Sequence, residues 1–298
     1  MHKLPIRMTF FYQLHPVVSV VYFFEAIVGL LLFNHLAVAL TGFVGLLLVC
    51  IFYKGVAVVF RQFKWYLSLL LMIAFFNVLL NQRFGPVLYQ VSLANFTFKL
   101  TVPALIYGIV MGLMLVEMLM VFGVLNAILP APKLVAVFSP ITPKFGLLVV
   151  ISLNLVKTFI QTLGNLSMLQ QTRNINVSAG GFMRRIKSGG RLLRILLEDS
   201  LASGMETARL MDARGFGVEK RTHYAAYHWH TGDWAFLAAS VVSFAGMATS
   251  RLQSAGWSGS VRQFTQGFMG QDFYALASLG LVLLLPLLAE GVYRAWTN

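Results

Sequence analysis

The sequence predicts an all-α integral membrane protein of about six transmembrane helices, and three observations predict it. Of 298 residues, 58% are hydrophobic and 11% charged, with a mean hydropathy of +0.76. A soluble domain of this length cannot bury so much apolar surface. Apolar runs of about bilayer-crossing length recur along the chain. Lys and Arg gather in alternate connections, as the positive-inside rule requires. The chain reads as one membrane domain over 1–298, with 130–230 lying on the cytoplasmic side.

The first element, Val17–Phe33, follows "MHKLPIRMTFFYQLHP". A signal peptide is the competing reading. This run is long, contains Glu25 and leads straight into another apolar segment with no small-residue cleavage site, so a retained span is expected. Leu36–Tyr53 follows across the short connection Asn34-His35, which fits a tight helical hairpin. Trp65–Leu80, Leu100–Leu125, Trp234–Thr249 and Phe273–Ala289 complete the set.

Loop charge then orients the spans. Lys3 and Arg7 precede the first, Lys54, Arg61 and Lys64 follow the second, Lys133 and Lys144 follow the fourth, and Arg294 follows the sixth. The stretch 173–221 is strongly basic, whereas the alternate connections hold Arg83, Lys99, Arg251 and Arg262. This bias places both termini and the 130–230 region in the cytoplasm. The formal net charge of +13 is therefore topological. It does not indicate nucleic acid, because the basic residues lack interleaved stacking aromatics. The single Cys, Cys50, lies inside an apolar run and offers neither an intramolecular disulfide nor a metal cluster.

The 130–230 region opens with "PAPKLVAVFSPITPK", whose prolines break any helix. Phe145 to Arg173 is then long enough for a helix of about 40 Å. Its first half, "FGLLVVISL", is apolar enough to lie in the membrane, and its second half is not. "NINVSAGG" punctuates the chain. A second helical stretch, 182–214, follows with a possible break at Gly189-Gly190. Leu193, Leu197, Leu201, Ala208 and Met211 form one face of it; Arg191, Glu198, Ala202, Glu206 and Arg209 form the other. That amphipathic helix suits protein or lipid headgroups, and Arg184, Arg185, Lys187 and Arg191 suit anionic lipid.

Both helices end on an arginine followed by a residue that readily turns left-handed. The first ends Thr172-Arg173-Asn174 and the second Ala213-Arg214-Gly215. Arg209 has Glu206 three residues before it and can be neutralised within its own helix. Arg214 and Arg173 have no acidic residue at helical spacing. Two readings are open: ordinary capping against the helix dipole, or a bidentate contact with a carboxylate of another chain.

These residues carry a family resemblance. "MDARGFG" at 211–217, the long helix ending "QQTRNIN" about forty residues earlier, and "LHP" at 14–16 together resemble the T components of energy-coupling factor transporters, the group that includes the cobalt permease CbiQ. Members have two Ala-Arg-Gly motifs; here Thr172-Arg173-Asn174 stands in place of the first. The resemblance implies a prokaryotic plasma-membrane subunit that binds two cytoplasmic ATP-binding cassette ATPases and one substrate-binding S component. ATP-driven motion would then deliver a vitamin or metal ion. It implies ATPase contacts at Arg173, Asn174, Ala213, Arg214 and Gly215. It also implies an S-component cradle at Leu193, Leu197, Leu201, Ala208 and Met211.

No G-x-x-x-x-G-K-[ST] loop occurs, so the chain reads as a non-enzyme that needs separate ATPases and holds no cofactor. "HYAAYHWHTGD" at 223–233 groups three His with an Asp. Its interleaved Tyr224, Tyr227 and Trp229 favour an interfacial aromatic belt over a metal site. Without further titratable groups around them, these histidines are too few for an intramembrane enzyme. Glu25 and Glu117 lie inside spans, where a charge costs at least about 2.5 kcal/mol. Interhelical hydrogen bonding is the expected role. The alternative is a proton-coupled secondary transporter, against which stands the lack of a repeat pairing broken spans.

Overall fold

The computed structural model describes residues 9–80, 87–93, 96–138, 143–172, 181–216, 227–253 and 270–297. Contacts divide the chain into two compact units: Met1–Lys133 together with Tyr227–Asn298, and Leu134–Ala226.

In the first unit a short turn, α1 (Phe10–Gln13), leads into α2 (Pro16–Leu32), α3 (Leu36–Lys54) and α4 (Val56–Leu80). A β-hairpin follows, β1 (Val87–Leu93) and β2 (Phe96–Thr101), and then α5 (Val102–Ile128). The chain returns in α9 (Thr231–Leu252) and α10 (Gly270–Thr297). Helix starts follow local chemistry. Pro16 occupies the first position of α2, and Pro103 lies in the first turn of α5. The imidazoles of His15 and His35 accept from the Val17 and Ala37 N–H groups at 3.3 Å, capping α2 and α3.

The hairpin is a short interruption of the otherwise helical fold that the sequence did not predict. Its strands pair antiparallel, with Leu93 opposite Phe96 and Gln90 opposite Lys99. The fourth span accordingly begins at Val102 rather than Leu100.

Helix directions follow from contacts at glycines, where backbones approach closely. A Cβ on Gly108 would stand 3.0 Å from Ala74 Cα, and one on Gly112 3.2 Å from the Leu70 carbonyl oxygen, so α5 runs antiparallel to α4. Gly29 of α2 faces Met247 and Leu279, and the His15 N–H reaches Asp233. With Tyr22 meeting Val282, α2 is parallel to α9 and antiparallel to α10. Gly45 meets Leu283 and Phe52 meets Arg294, setting α3 parallel to α10. Gly42 packs on the Glu117 carboxyl, and the Cys50 thiol on the Met120 carbonyl at 3.8 Å, setting α3 parallel to α5.

The helices of this unit therefore alternate in direction. The end that carries α1 also carries the C-termini of α3, α5 and α10 and the N-terminus of α9. We call it the proximal end. By length and composition, six described helices suit a membrane crossing: α3, α4, α5, Phe145–Leu169, α9 and Asp272–Ala295. The 17-residue α2 is shorter. Yet about 26 Å of helix lies within the range of spanning segments, and α2 packs among the other spans.

Pro286 lies inside α10 and cannot donate to the carbonyl four residues back, that of Val282. The buried Tyr22 hydroxyl donates to it instead, at 3.2 Å. Tyr22→Phe is expected to cost about 1–3 kcal/mol, because a carbonyl in apolar surroundings loses its donor. With Pro286→Ala present, the restored N–H supplies that donor and the cost should vanish. Thermal unfolding of the four variants in detergent measures the coupling; additive losses would show that Tyr22 acts through packing alone.

The second unit contains most of α6 (Ala131–Phe138), then α7 (Pro143–Thr172) and α8 (Phe182–Ala213). Contrary to the predicted break at Gly189-Gly190, α8 is one continuous helix of 32 residues.

Candidate functional site

Two regions hold the residues of functional interest. The first is the end of α8. Ala213 closes the helix, Arg214 follows with φ −85°, and Gly215 adopts φ +72°. The Phe216 N–H donates to the Met211 carbonyl and the Gly215 N–H to the Asp212 carbonyl, both at 3.0 Å. This pair of bonds is a Schellman motif, which needs a left-handed residue where Gly215 stands. The exposed Arg214 guanidinium forms no ion pair with a described residue. Arg173 and Asn174 lie outside the described residues; α7 is described to Thr172, whose hydroxyl donates to the Leu169 carbonyl at 2.7 Å.

Along α8, Leu192 and Leu196 are the buried leucines, 5% and 4% exposed, and α7 is the helix of the same unit that packs on α8. Leu193, Leu197 and Leu201 are 57%, 58% and 69% exposed. Ala208 is exposed and Met211 half-buried. Ile186 and Met205 extend the open apolar stripe in both directions. The predicted cradle residues are thus uncovered, one helical step from the packed face. Among the described residues, the ion pair on α8 is Arg194–Glu198 at 3.0 Å, both side chains exposed, and the expected Glu206–Arg209 pair does not form.

The second region lies at the proximal end of the first unit, around α1. The nearly inaccessible Asp233 carboxylate accepts from the His15 N–H at 2.9 Å and from the His230 N–H at 2.8 Å. Glu290, equally buried, accepts from the Phe10 N–H at 2.8 Å and from Arg294 Nε at 3.1 Å. Lys133 donates to the Tyr12 carbonyl, and its ammonium lies 3.4 Å from the centroid of the Tyr12 ring. The His15 ring stacks on Trp229 at 4.2 Å, and Trp229 stacks on Trp234 at 4.9 Å.

Burial dominates the electrostatics here. It holds the His15 imidazole below its ordinary range, against the smaller opposing pull of Asp233. That fits a ring nitrogen that accepts from the Val17 N–H. Burial also pushes Lys133 down to about 8. It raises the Tyr227 phenol, with a further push from Tyr12.

Two groups singled out in the sequence, "LHP" and the 227–233 stretch, therefore meet in one aromatic and carboxylate cluster. His223 and Tyr224 lie outside the described residues. Among the described residues, no three His, Cys, Asp or Glu side chains converge as a metal site would require. Lys133 and Glu290 escaped sequence reasoning as site residues, and Asp233 was weighed there only as a companion of the histidines. The signals available were an Asp three residues after His230, just before an apolar run, and a Glu four residues before Arg294.

Glu25 and Glu117 are separate from this cluster and face different helices. Glu25 on α2 faces Ser240 of α9, and its Oε2 has no hydrogen-bond partner among the described residues. Glu117 on α5 lies against Gly42 of α3, and its Oε1 likewise has none among the described residues.

The fold defines a multi-pass helical membrane protein. No protein-family profile matches the chain, and no curated protein matches it significantly.

Proposed function

We propose that this chain is the transmembrane coupling subunit of an energy-coupling factor importer. In this reading it relays motion from two cytoplasmic ATPases to a substrate-binding membrane partner for vitamin or metal-ion uptake. The observation that carries the reading is α8. It is a 32-residue helix with an open apolar stripe and, on a Schellman-capped tip, an exposed arginine that forms no ion pair with a described residue.

Topology supports it. Lys133 and Tyr227, where the chain leaves and rejoins the first unit, both lie against the α1 region. A segment that leaves and returns at one end crosses the bilayer an even number of times. If the apolar α7 crossed, α8 would have to cross back, and its ten charged residues forbid that. In this reading the 134–226 segment is cytoplasmic, and the six crossings are α2, α3, α4, α5, α9 and α10. The basic residues Lys54, Arg61, Lys64, Lys133 and Arg294 support a cytoplasmic proximal end, and the reading takes the membrane to be a prokaryotic plasma membrane.

The unpartnered oxygens of Glu25 and Glu117 favour a second reading, a proton-coupled transporter working alone. One set of experiments separates the two. Purified in mild detergent, the chain should bring down two ATPases and one small membrane protein. Glu25→Gln with Glu117→Gln should leave that capture unchanged, within about twofold. Capture of no ATPase, together with proton-driven uptake by the chain alone in vesicles, would replace the coupling-subunit reading with the second.

A further inference from the structure

Side chains from three elements close on residues 10–15. Glu290 of α10 takes the Phe10 N–H, Lys133 of α6 takes the Tyr12 carbonyl, and Asp233 of α9 takes the His15 N–H. Two of these side chains flank the 134–226 segment. Lys133 is the last residue before it, and Asp233 lies six residues beyond Tyr227, the first residue after it. The departing limb is thus fastened to α1 through the Tyr12 carbonyl and ring. Three residues on, the returning limb is fastened by Asp233, by Trp229 stacked on the His15 ring, and by Tyr227 6.0 Å from that ring. Glu290 and the Tyr293 hydroxyl, 3.4 Å from Gln13 Oε1, extend the attachment to α10.

Anchoring an N-terminal turn to the bundle requires only Asp233 and Glu290. Lys133 adds something different, a link from the departing limb to the turn that holds the returning one. We infer that α1 is a mechanical joint. Lys133 and Asp233 tie both limbs of the 134–226 segment to one turn, so that a load on the segment moves α2, α9 and α10 together. The inference rests on the coupling role proposed for that segment. Its physical core, the linkage between the limbs, belongs to this chain alone.

Amide hydrogen exchange on the full chain in detergent tests the linkage, comparing the unmodified protein with Lys133→Met and Lys133→Arg. The Met variant keeps the aliphatic stem and loses the charge. It should speed exchange about tenfold over 9–16 and also over 227–236. The Arg variant, which retains a cation for the Tyr12 ring and carbonyl, should stay near the unmodified rates. Leu36–Lys54 should be unchanged in both, reporting an intact bundle. If 227–236 keeps its protection in the Met variant, the limbs are independent and the joint is overturned. In the assembled transporter, Lys133→Met should retain its ATPases and their hydrolysis within about twofold while uptake falls about tenfold. Unchanged uptake would also overturn the joint. An unmodified chain that captures no ATPase would sink the coupling-subunit reading instead, and the exchange result would still decide the linkage.

Discussion

Arg214→Glu is expected to strip the ATPases from the purified chain while leaving insertion and helix content unchanged. A guanidinium that meets a carboxylate through two parallel hydrogen bonds contributes about 1.5–3 kcal/mol, or about 10–100-fold in affinity. Reversing the charge sets two carboxylates against each other, so the loss should exceed that range. The fold should not suffer, because Arg214 is exposed and makes no ion pair with a described residue. Gly215→Val is the informative comparison. A Cβ there would meet nothing within 4 Å, but the residue stands at φ +72°. A β-branched side chain at that angle loosens the helix end by about 1–2 kcal/mol. That variant keeps the charge and blurs its position, so its affinity loss should be smaller, about tenfold. Titration of purified ATPase onto the immobilised chain ranks the variants. If Arg214→Glu combined with Arg173→Glu still captures ATPases and supports uptake, the docking assignment is wrong.

What the sequence disclosed, and what it hid, follows from how each feature is encoded. The spans were legible because each is an uninterrupted apolar run. Their ends were less so: α4 begins at Val56 instead of Trp65, since Arg61 and Lys64 in its first turns can reach the interface along their own stems. The hairpin was missed although "VLYQVSL" and "FTFKLT" alternate. Two short strands between long apolar runs give a weak period-two signal. Which leucines of α8 pack within the chain was not legible. Leu192, Leu193, Leu196 and Leu197 make a broad apolar side, and amphipathicity alone does not choose which half packs. The pair Gly189-Gly190 suggested a break, but about 1 kcal/mol per glycine is a small cost within a helix of 32 residues. Hardest to read was the clasp around α1. The Phe10–Glu290 and His15–Asp233 bonds join residues 280 and 218 apart, and no spacing rule records such a pairing.

Asp233→Ala should be among the most destabilising single changes in the first unit. The carboxylate is 3% exposed and serves two backbone donors, the N–H groups of His15 and His230. Truncation orphans both, at about 1–3 kcal/mol each, and separates the start of α2 from the start of α9. Asp233→Asn should fall between, because its one carbonyl oxygen can serve one donor while its amide group faces the other. His230→Ala is the control that identifies the partner. The His230 imidazole lies 3.7 Å from the carboxylate but is 77% exposed, so that ion pair contributes little. Its removal should cost no more than about 0.5 kcal/mol. Thermal unfolding in a single detergent then has a required order, with Ala well below Asn and His230→Ala close to the unmodified chain. If His230→Ala matched Asp233→Ala, the clasp would be an imidazole–carboxylate pair with no essential hold on residue 15. A loss confined to the Asp233 variants means the carboxylate works through backbone N–H groups, which side-chain substitution at 15 or 230 cannot remove. The start of α2 is then held through a carboxylate of α9, and the "LHP" turn owes part of its hold to an aspartate 218 residues further along the chain.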